Sequence, residues 1–313
     1  MSLAFVFPGQ GSQAPGMGRD LADAFPIARE TFQEVDDALG QKLSRLMFEG
    51  PAEELTLTAN AQPALLAVSL AITRVLAKEG GFDLSRQVSL VAGHSLGEYS
   101  ALTATGSFDL ATATRLLRQR GDAMQAAVPP GEGAMAALLG ADAEQAAAIC
   151  TEAAQGDVLE VANDNGGGQV VISGAKAAVE RAVEAAKAAG IKRAMILPVS
   201  APFHCAMMEP AARVMEAALE LAVMTHPAVP VVANVTASPV SDPEVIRGLL
   251  VRQVTGTVRW RECVAAMVAS GCTRFVEVGA GRVLTGLMKR NAPEASASAL
   301  NNPADIEAFL RSS

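Results

Sequence analysis

Short β-rich runs separated by longer helix-favouring stretches set the pattern of this chain. Phe5-Val6-Phe7, Val88-Ser89-Leu90-Val91-Ala92, Val229-Pro230-Val231-Val232-Ala233 and Arg274-Phe275-Val276-Glu277-Val278 carry the apolar and β-branched residues of buried strands. Ala-rich stretches such as Lys176 to Ala189 favour helix, and no period of repeat length is visible. Strands alternating with helices in this way predict an α/β layered fold.

The middle of the chain has a different rhythm. After Pro129-Pro130-Gly131 come a strand-like Ala134 to Leu139, a helix from Asp142 to about Thr151, and two β-rich runs, Val158 to Ala162 and Gln169 to Ser173. A helix from Lys176 to Ala189 and a strand from Arg193 to Leu197 complete β-α-β-β-α-β, the ferredoxin-like order. A second Pro-rich joint, Pro198-Val199-Ser200-Ala201-Pro202, closes the unit. The expected organisation is an α/β-hydrolase-like body, residues 1–130 and 199–313, with a ferredoxin-like subdomain, 131–198, inserted into it. A cleft between the two is the natural ligand site.

Composition narrows the function. The 313 residues carry 25 Lys+Arg against 33 Asp+Glu, a formal charge of −8, and no basic runs, which argues against a nucleic-acid partner. Half the residues are apolar and 19% are charged, so an ordered globule is expected rather than disorder. Cys150, Cys205, Cys263 and Cys272 form no CxxC pair and have no His at metal spacing, which argues against zinc or a disulfide framework and fits a reducing cytoplasm. The apolar start has no basic leader and reads as a buried strand. The longest uncharged window, Leu55 to Thr73, contains Asn60, Gln62 and Pro63 and is not expected to span a membrane.

The chemistry centres on Gly93-His94-Ser95-Leu96-Gly97, a GxSxG run with a strand before it and helix-favouring Glu98 to Leu102 after it. A strand turning sharply into a helix exposes the Ser95 hydroxyl as a nucleophile and aims the Leu96 N–H where an oxyanion forms. A tight structural loop is the plainer reading, and the strand and helix on either side weigh against it. Of the three His, His94 adjoins Ser95 and suits packing within the turn, while His226 lies in a polar connection before Pro227. His204, just beyond the second joint, is the expected general base. No preceding aspartate stands out as a third member, and a backbone carbonyl could orient the imidazole without adding charge. Arg120, in the run Arg115-Leu116-Leu117-Arg118-Gln119-Arg120, reads by itself as one charge on a solvated helix face.

Phe5-Val6-Phe7-Pro8-Gly9-Gln10-Gly11-Ser12-Gln13 together with Gly93-His94-Ser95-Leu96-Gly97-Glu98 closely resembles the malonyl-CoA:acyl-carrier-protein transacylases. Ala61-Gln62-Pro63-Ala64, Arg120 to Gln125, Pro202-Phe203-His204, Gln253 to Trp260 and Glu277 to Gly281 extend the resemblance nearly end to end. The resemblance implies that Ser95 is acylated, His204 is its base, and the main-chain carbonyl of Gln253 orients His204. It implies an oxyanion hole of the Gln10 and Leu96 N–H groups, with Arg120 holding the malonyl carboxylate. A guanidinium fork suits that task because it grips a carboxylate bidentately and keeps its charge. Asn163 and Asn165, in a turn of the small subdomain, would border the acyl cleft beside Gln62, although turn formation alone accounts for Asn there and the side-chain amides of Gln62 and Gln10 can merely tie loops together. In the family's pattern, Phe at the position of Phe203 accompanies malonyl, and a smaller residue accompanies methylmalonyl.

The implied partners are malonyl-CoA and acyl carrier protein, in fatty-acid synthesis, with no cofactor or metal. The resembling enzymes are commonly monomers, so a cytoplasmic monomer is expected. A serine hydrolase or thioesterase would need only Ser95 and His204, with water in place of the carrier thiol. An inactive scaffold is disfavoured by the joint presence of Ser95, His204 and Arg120.

Overall fold

The computed structural model describes residues 2–199 and 201–312; Met1, Ser313 and Ser200 of the second joint lie outside them. In chain order the strands are β1 (Ser2–Phe7), β2 (Leu90–Gly93), β3 (Gly133–Leu139), β4 (Leu159–Gly166), β5 (Gln169–Ala175), β6 (Arg193–Ile196), β7 (Val231–Ala233), β8 (Ser238–Val240), β9 (Cys272–Val278) and β10 (Ser296–Leu300). Six form one sheet in the order β10-β9-β1-β2-β7-β8, parallel except for the final β7–β8 pair. The remaining four form an antiparallel sheet ordered β4-β5-β3-β6, with helices Ala143–Ala154 and Lys176–Ala188 in the connections.

Period-two alternation explains why the large sheet is covered on both faces. Leu3, Phe5 and Phe7 of β1 join one apolar cluster, with Val91 and Val276, while Ala4 and Val6 join another, with Val232, Trp260 and Phe275. The antiparallel sheet divides in the same way. Ala136, Leu138, Val170 and Ile172 pack on its own two helices, whereas Met135 and Val171 face the larger cluster. Helix Thr58–Gly80 is long and apolar enough to cross a membrane, yet it packs inside the fold, with 83% of its most apolar window buried.

Where the strands differ from expectation, local chemistry explains it. β7 begins at Val231 rather than Val229 because Pro230 has no N–H to place in the ladder, although its carbonyl still accepts from Val91. β2 begins at Leu90, after a helical turn capped by Asp83. β8 and β10 were not expected: one contains Pro239, the other alternates Ser and Ala, and pairing at a sheet edge decides both. Asn163-Asp164-Asn165, expected as a turn, lie within β4, where shifts in register accommodate them; the turn itself is Gly167-Gly168, both at positive φ, as is Gly166 at the strand end.

The carboxyl ends of β1 and β2, adjacent in the sheet, lead into Pro8-Gly9-Gln10 and His94-Ser95-Leu96. Ligands of open α/β sheets gather at such ends.

Candidate active site

A cleft of about 400 Å³ opens at these strand ends. Gln10, Ser95 and Arg120, with Asn163, Asn165 and Val171 from the antiparallel sheet and Phe203 and His204 from beyond the second joint, line it. Gln62 and Leu96 also line it, while Gln253 stands behind His204.

Ser95 sits at the turn between β2 and helix Gly97–Ala104 with φ 51°, a left-handed conformation that costs a non-glycine residue about 1–3 kcal/mol. The flanking glycines make the turn possible. A Cβ at Gly93 would collide with the backbone of Gly97, and one at Gly97 with the carbonyl of Phe7. The Leu96 and Gln10 N–H groups take no acceptor among the described residues and remain available to an oxyanion.

His204 Nε2 lies 2.8 Å from Ser95 Oγ, and its Nδ1 lies 2.9 Å from the Gln253 carbonyl oxygen. A carbonyl can only accept, so Nδ1 carries the proton and Nε2 is free to accept the serine proton. His204 is 3% exposed and also left-handed, with φ 60°. Burial and the nearby Arg120 charge push its pKa down to about 3, against the opposing bond to Gln253. The imidazole is therefore neutral near pH 7, as a general base must be. His94 turns away from Ser95: its Nε2 donates to Asn165 Oδ1 at 2.8 Å and its ring lies against Trp260, while burial holds its pKa low. His226 is exposed, with its Nδ1 on the Ser241 carbonyl.

Arg120 departs from its reading as a solvated charge. It is 1% exposed because helix Leu110–Ala126 turns it inward with Leu116, Leu117 and Met124. Its guanidinium donates to Gln62 Oε1 at 2.7 Å, Gln253 Oε1 at 2.9 Å and Ser95 Oγ at 3.2 Å. All these partners are neutral, and its buried Nε–H has no acceptor among the described residues. Tyr99 lies beneath, with its ring centroid 5.8 Å from the guanidinium carbon. Gln10 and Gln62 join through Thr58, whose hydroxyl donates to Gln10 Oε1 and accepts from Gln62 Nε2. The two amides thus tie the loop after β1 to Arg120.

Sequence reading missed two buried residues. Glu98, which the sequence offers only as the start of the helix-favouring run after the GxSxG turn, is 1% exposed; its Oε2 accepts from the Asn234 N–H and from Gln253 Nε2. Burial raises its pKa to about 7, against those bonds and the Arg120 charge. Asn234, just after β7, bonds to both sides of the Ser95 turn. A polar residue at the carboxyl end of a strand beside β2 was the available signal. Among the described residues no group of His, Cys, Asp and Glu is arranged to hold a metal ion, and the four cysteines are unpaired and buried.

Comparison with known proteins identifies the family. The acyl transferase domain family matches residues 4–302. The malonyl CoA-acyl carrier protein transacylase of Escherichia coli (strain K12) is 51% identical over 310 residues, covering 98% of each chain. That of Bacillus subtilis (strain 168) is 44% identical over 310 residues, covering 99% of this chain and 96% of its own. The crystal structure of an acyl-carrier-protein-S-malonyltransferase from Bartonella henselae matches with TM-score 0.98 and 55% identity, over 100% of this chain and 99% of that one. A malonyl-transacylase solved in complex with its type II polyketide-synthase acyl-carrier protein matches with TM-score 0.96 and 48% identity, over 100% of both chains.

Proposed function

The chain belongs to the acyl transferase family, among its malonyl-CoA:acyl-carrier-protein transacylases, and from that premise we propose that it carries malonyl through an ester on Ser95. It is an S-malonyltransferase that takes malonyl from malonyl-CoA to the phosphopantetheine thiol of acyl carrier protein, and fatty-acid synthesis is its pathway. Ser95 Oγ attacks the thioester carbonyl as its proton passes to His204 Nε2. The tetrahedral oxyanion is held by the Gln10 and Leu96 N–H groups. Collapse expels CoA, whose sulfur takes the proton from His204. The carrier thiol then gives its proton to His204, attacks the ester and releases Ser95, which regains the proton.

One observation carries this reading: a fully buried guanidinium beside Ser95 whose hydrogen-bond partners are all neutral, with the nearby Glu98 carboxyl bonded instead to Asn234 and Gln253. Such a charge is matched by a ligand carboxylate, which malonyl supplies and acetyl does not. The carboxylate also offsets the Arg120 charge that depresses His204, so the imidazole becomes a stronger base when malonyl is seated. In architecture, the β4-β5-β3-β6 sheet reads as a ferredoxin-like insertion, residues 131–198, in a hydrolase-like body.

The test of function is the fate of malonyl when enzyme, malonyl-CoA and holo-carrier are mixed: malonyl-carrier supports a transferase, whereas free malonate as the main product would make the enzyme a hydrolase. Two variants examine selectivity. Arg120→Ala should cost malonyl transfer about 3–5 kcal/mol by leaving a desolvated carboxylate unpaired, while sparing acetyl transfer. Equal losses for both acyl groups would make Arg120 structural. Phe203, buried at the cleft wall just before His204, should limit the space beside the acyl α-carbon. Phe203→Ser should raise kcat/KM for methylmalonyl-CoA relative to malonyl-CoA, by about 1–3 kcal/mol for one methyl group. A constant ratio, with both values falling alongside Tm, would remove Phe203 from the pocket.

A further inference from the structure

Asn234 makes two short bonds across the turn that holds the nucleophile. Its Nδ2 donates to the Gly93 carbonyl at 2.7 Å, and its Oδ1 accepts from the Ser95 N–H at 2.8 Å. Gly93 ends β2 and Ser95 is the left-handed residue, so one side chain from a neighbouring strand joins both sides of the bend. Asn234 is itself held in place. Its N–H donates to Glu98 Oε2 at 3.0 Å, its carbonyl accepts from the Arg259 N–H at 3.1 Å, and it is fully buried. The bond from Ser95 spends that amide on Asn234, leaving the Gln10 and Leu96 amides for the oxyanion.

We infer that Asn234 is a positioning residue for acyl transfer, fixing the strained Ser95 backbone so that Oγ stays in line with His204 Nε2 and with the oxyanion donors. This rests on the reading of Ser95 as the acylated residue. The requirement is chemical rather than steric, because the site needs a donor at one side-chain atom and an acceptor at the other. A carboxamide supplies both, an ionised carboxylate only accepts, and an alkyl group does neither.

The inference is tested by the rate of Ser95 malonylation at saturating malonyl-CoA, followed by rapid quench and intact mass, in wild type, Asn234→Ala and Asn234→Asp. Asn234→Ala should lose about 10²-fold in this rate, with the half-saturating malonyl-CoA concentration unchanged, because the cleft that binds substrate keeps its residues. Asn234→Asp keeps the shape and serves if the alanine variant folds poorly. It should be slow at about pH 8 and gain on wild type as the pH falls toward about 5, because a protonated carboxyl again donates to Gly93 and accepts from Ser95. The charged or titratable side chains near it are Glu98 beyond the turn, Arg259 and Cys263 from the segment after β8, and Arg120 and His204, which bond Ser95 and also Gln253, whose Nε2 donates to Asn234 Oδ1 at 3.3 Å. Glu98, its own pKa raised to about 7 by burial, is ionised and favours that protonation only at the upper end of this range, so the gain toward pH 5 comes from the aspartate's own titration.

An aspartate variant equal to wild type at every pH would reduce Asn234 to a packing role and overturn the inference, as would an alanine variant malonylated at the wild-type rate. If wild type itself acquires no malonyl group, the Ser95 reading fails first and takes this inference with it.

Discussion

Ser95→Ala acquires no malonyl group from malonyl-CoA and keeps its melting temperature. The loss should be near-complete because no other hydroxyl among the described residues is bonded to His204 Nε2, and removing the nucleophile of a triad-type site costs on the order of 10⁶ in kcat. The fold should survive because the hydroxyl's bonds go to His204 and Arg120, which keep their links to the Gln253 carbonyl and to the Gln62 and Gln253 side chains. Relieving a left-handed serine hydroxyl of two charged or polar neighbours removes no apolar packing. Intact mass after incubation reads the outcome, and an adduct that persisted on this variant would place the acyl group on another residue.

His204→Ala should slow acylation by about 10²–10⁴, the usual range for removing a general base. The pH dependence carries a second signature. A base works only when deprotonated, and the His204 pKa, pushed down to about 3 by burial and then by Arg120, leaves it largely deprotonated from mildly acidic pH upward. Acylation by wild type should therefore stay flat as pH falls from neutral toward 5, where an ordinary histidine would already be protonated. Malonyl-CoA bound with its carboxylate on Arg120 would offset that charge and move the limb upward, so the acid limb of kcat should lie above that of kcat/KM. Unchanged rates in His204→Ala, with losses instead in His94→Ala or His226→Ala, would move the base.

How far the sequence reaches depends on what kind of signal each residue leaves. The strands of the large sheet were legible because they are buried on both faces and read as apolar runs, such as Phe5-Val6-Phe7. β10 was not, because its Ser and Ala alternation has little intrinsic strand preference and the edge of β9 supplies the reason to pair. Asn163 to Asn165 mislead for the converse reason: their chemistry favours turns, but the ladder to β5 and the Arg261 ion pair to Asp164 hold them extended. The Ser95 turn announced itself through glycines that only close backbone approach requires.

Arg120 lay within reach of periodicity. It follows Leu116 and Leu117 by four and three positions and precedes Met124 by four, the spacing of one buried helical face. A charge on that stripe was a stronger sign of a site than the basic run around it. Gln253 and Asn234 were harder. What orients His204 is a main-chain carbonyl, which every residue possesses, and Asn234 approaches the turn from 139 residues away. Neither contact leaves a spacing to find.

Malonyl is expected to travel in two separable half-reactions with Ser95 as the waypoint. The most direct measurement mixes enzyme with malonyl-CoA in the absence of carrier, follows CoA release by rapid quench, maps the malonyl group by peptide mass, and then adds holo-carrier. The predicted result is a burst of CoA stoichiometric with enzyme, malonyl on the peptide containing Ser95, and its full transfer to the carrier thiol on the chase. CoA release that waits for the carrier, with Ser95 unmodified throughout, would mean direct transfer between the two thiols and would contradict the claim.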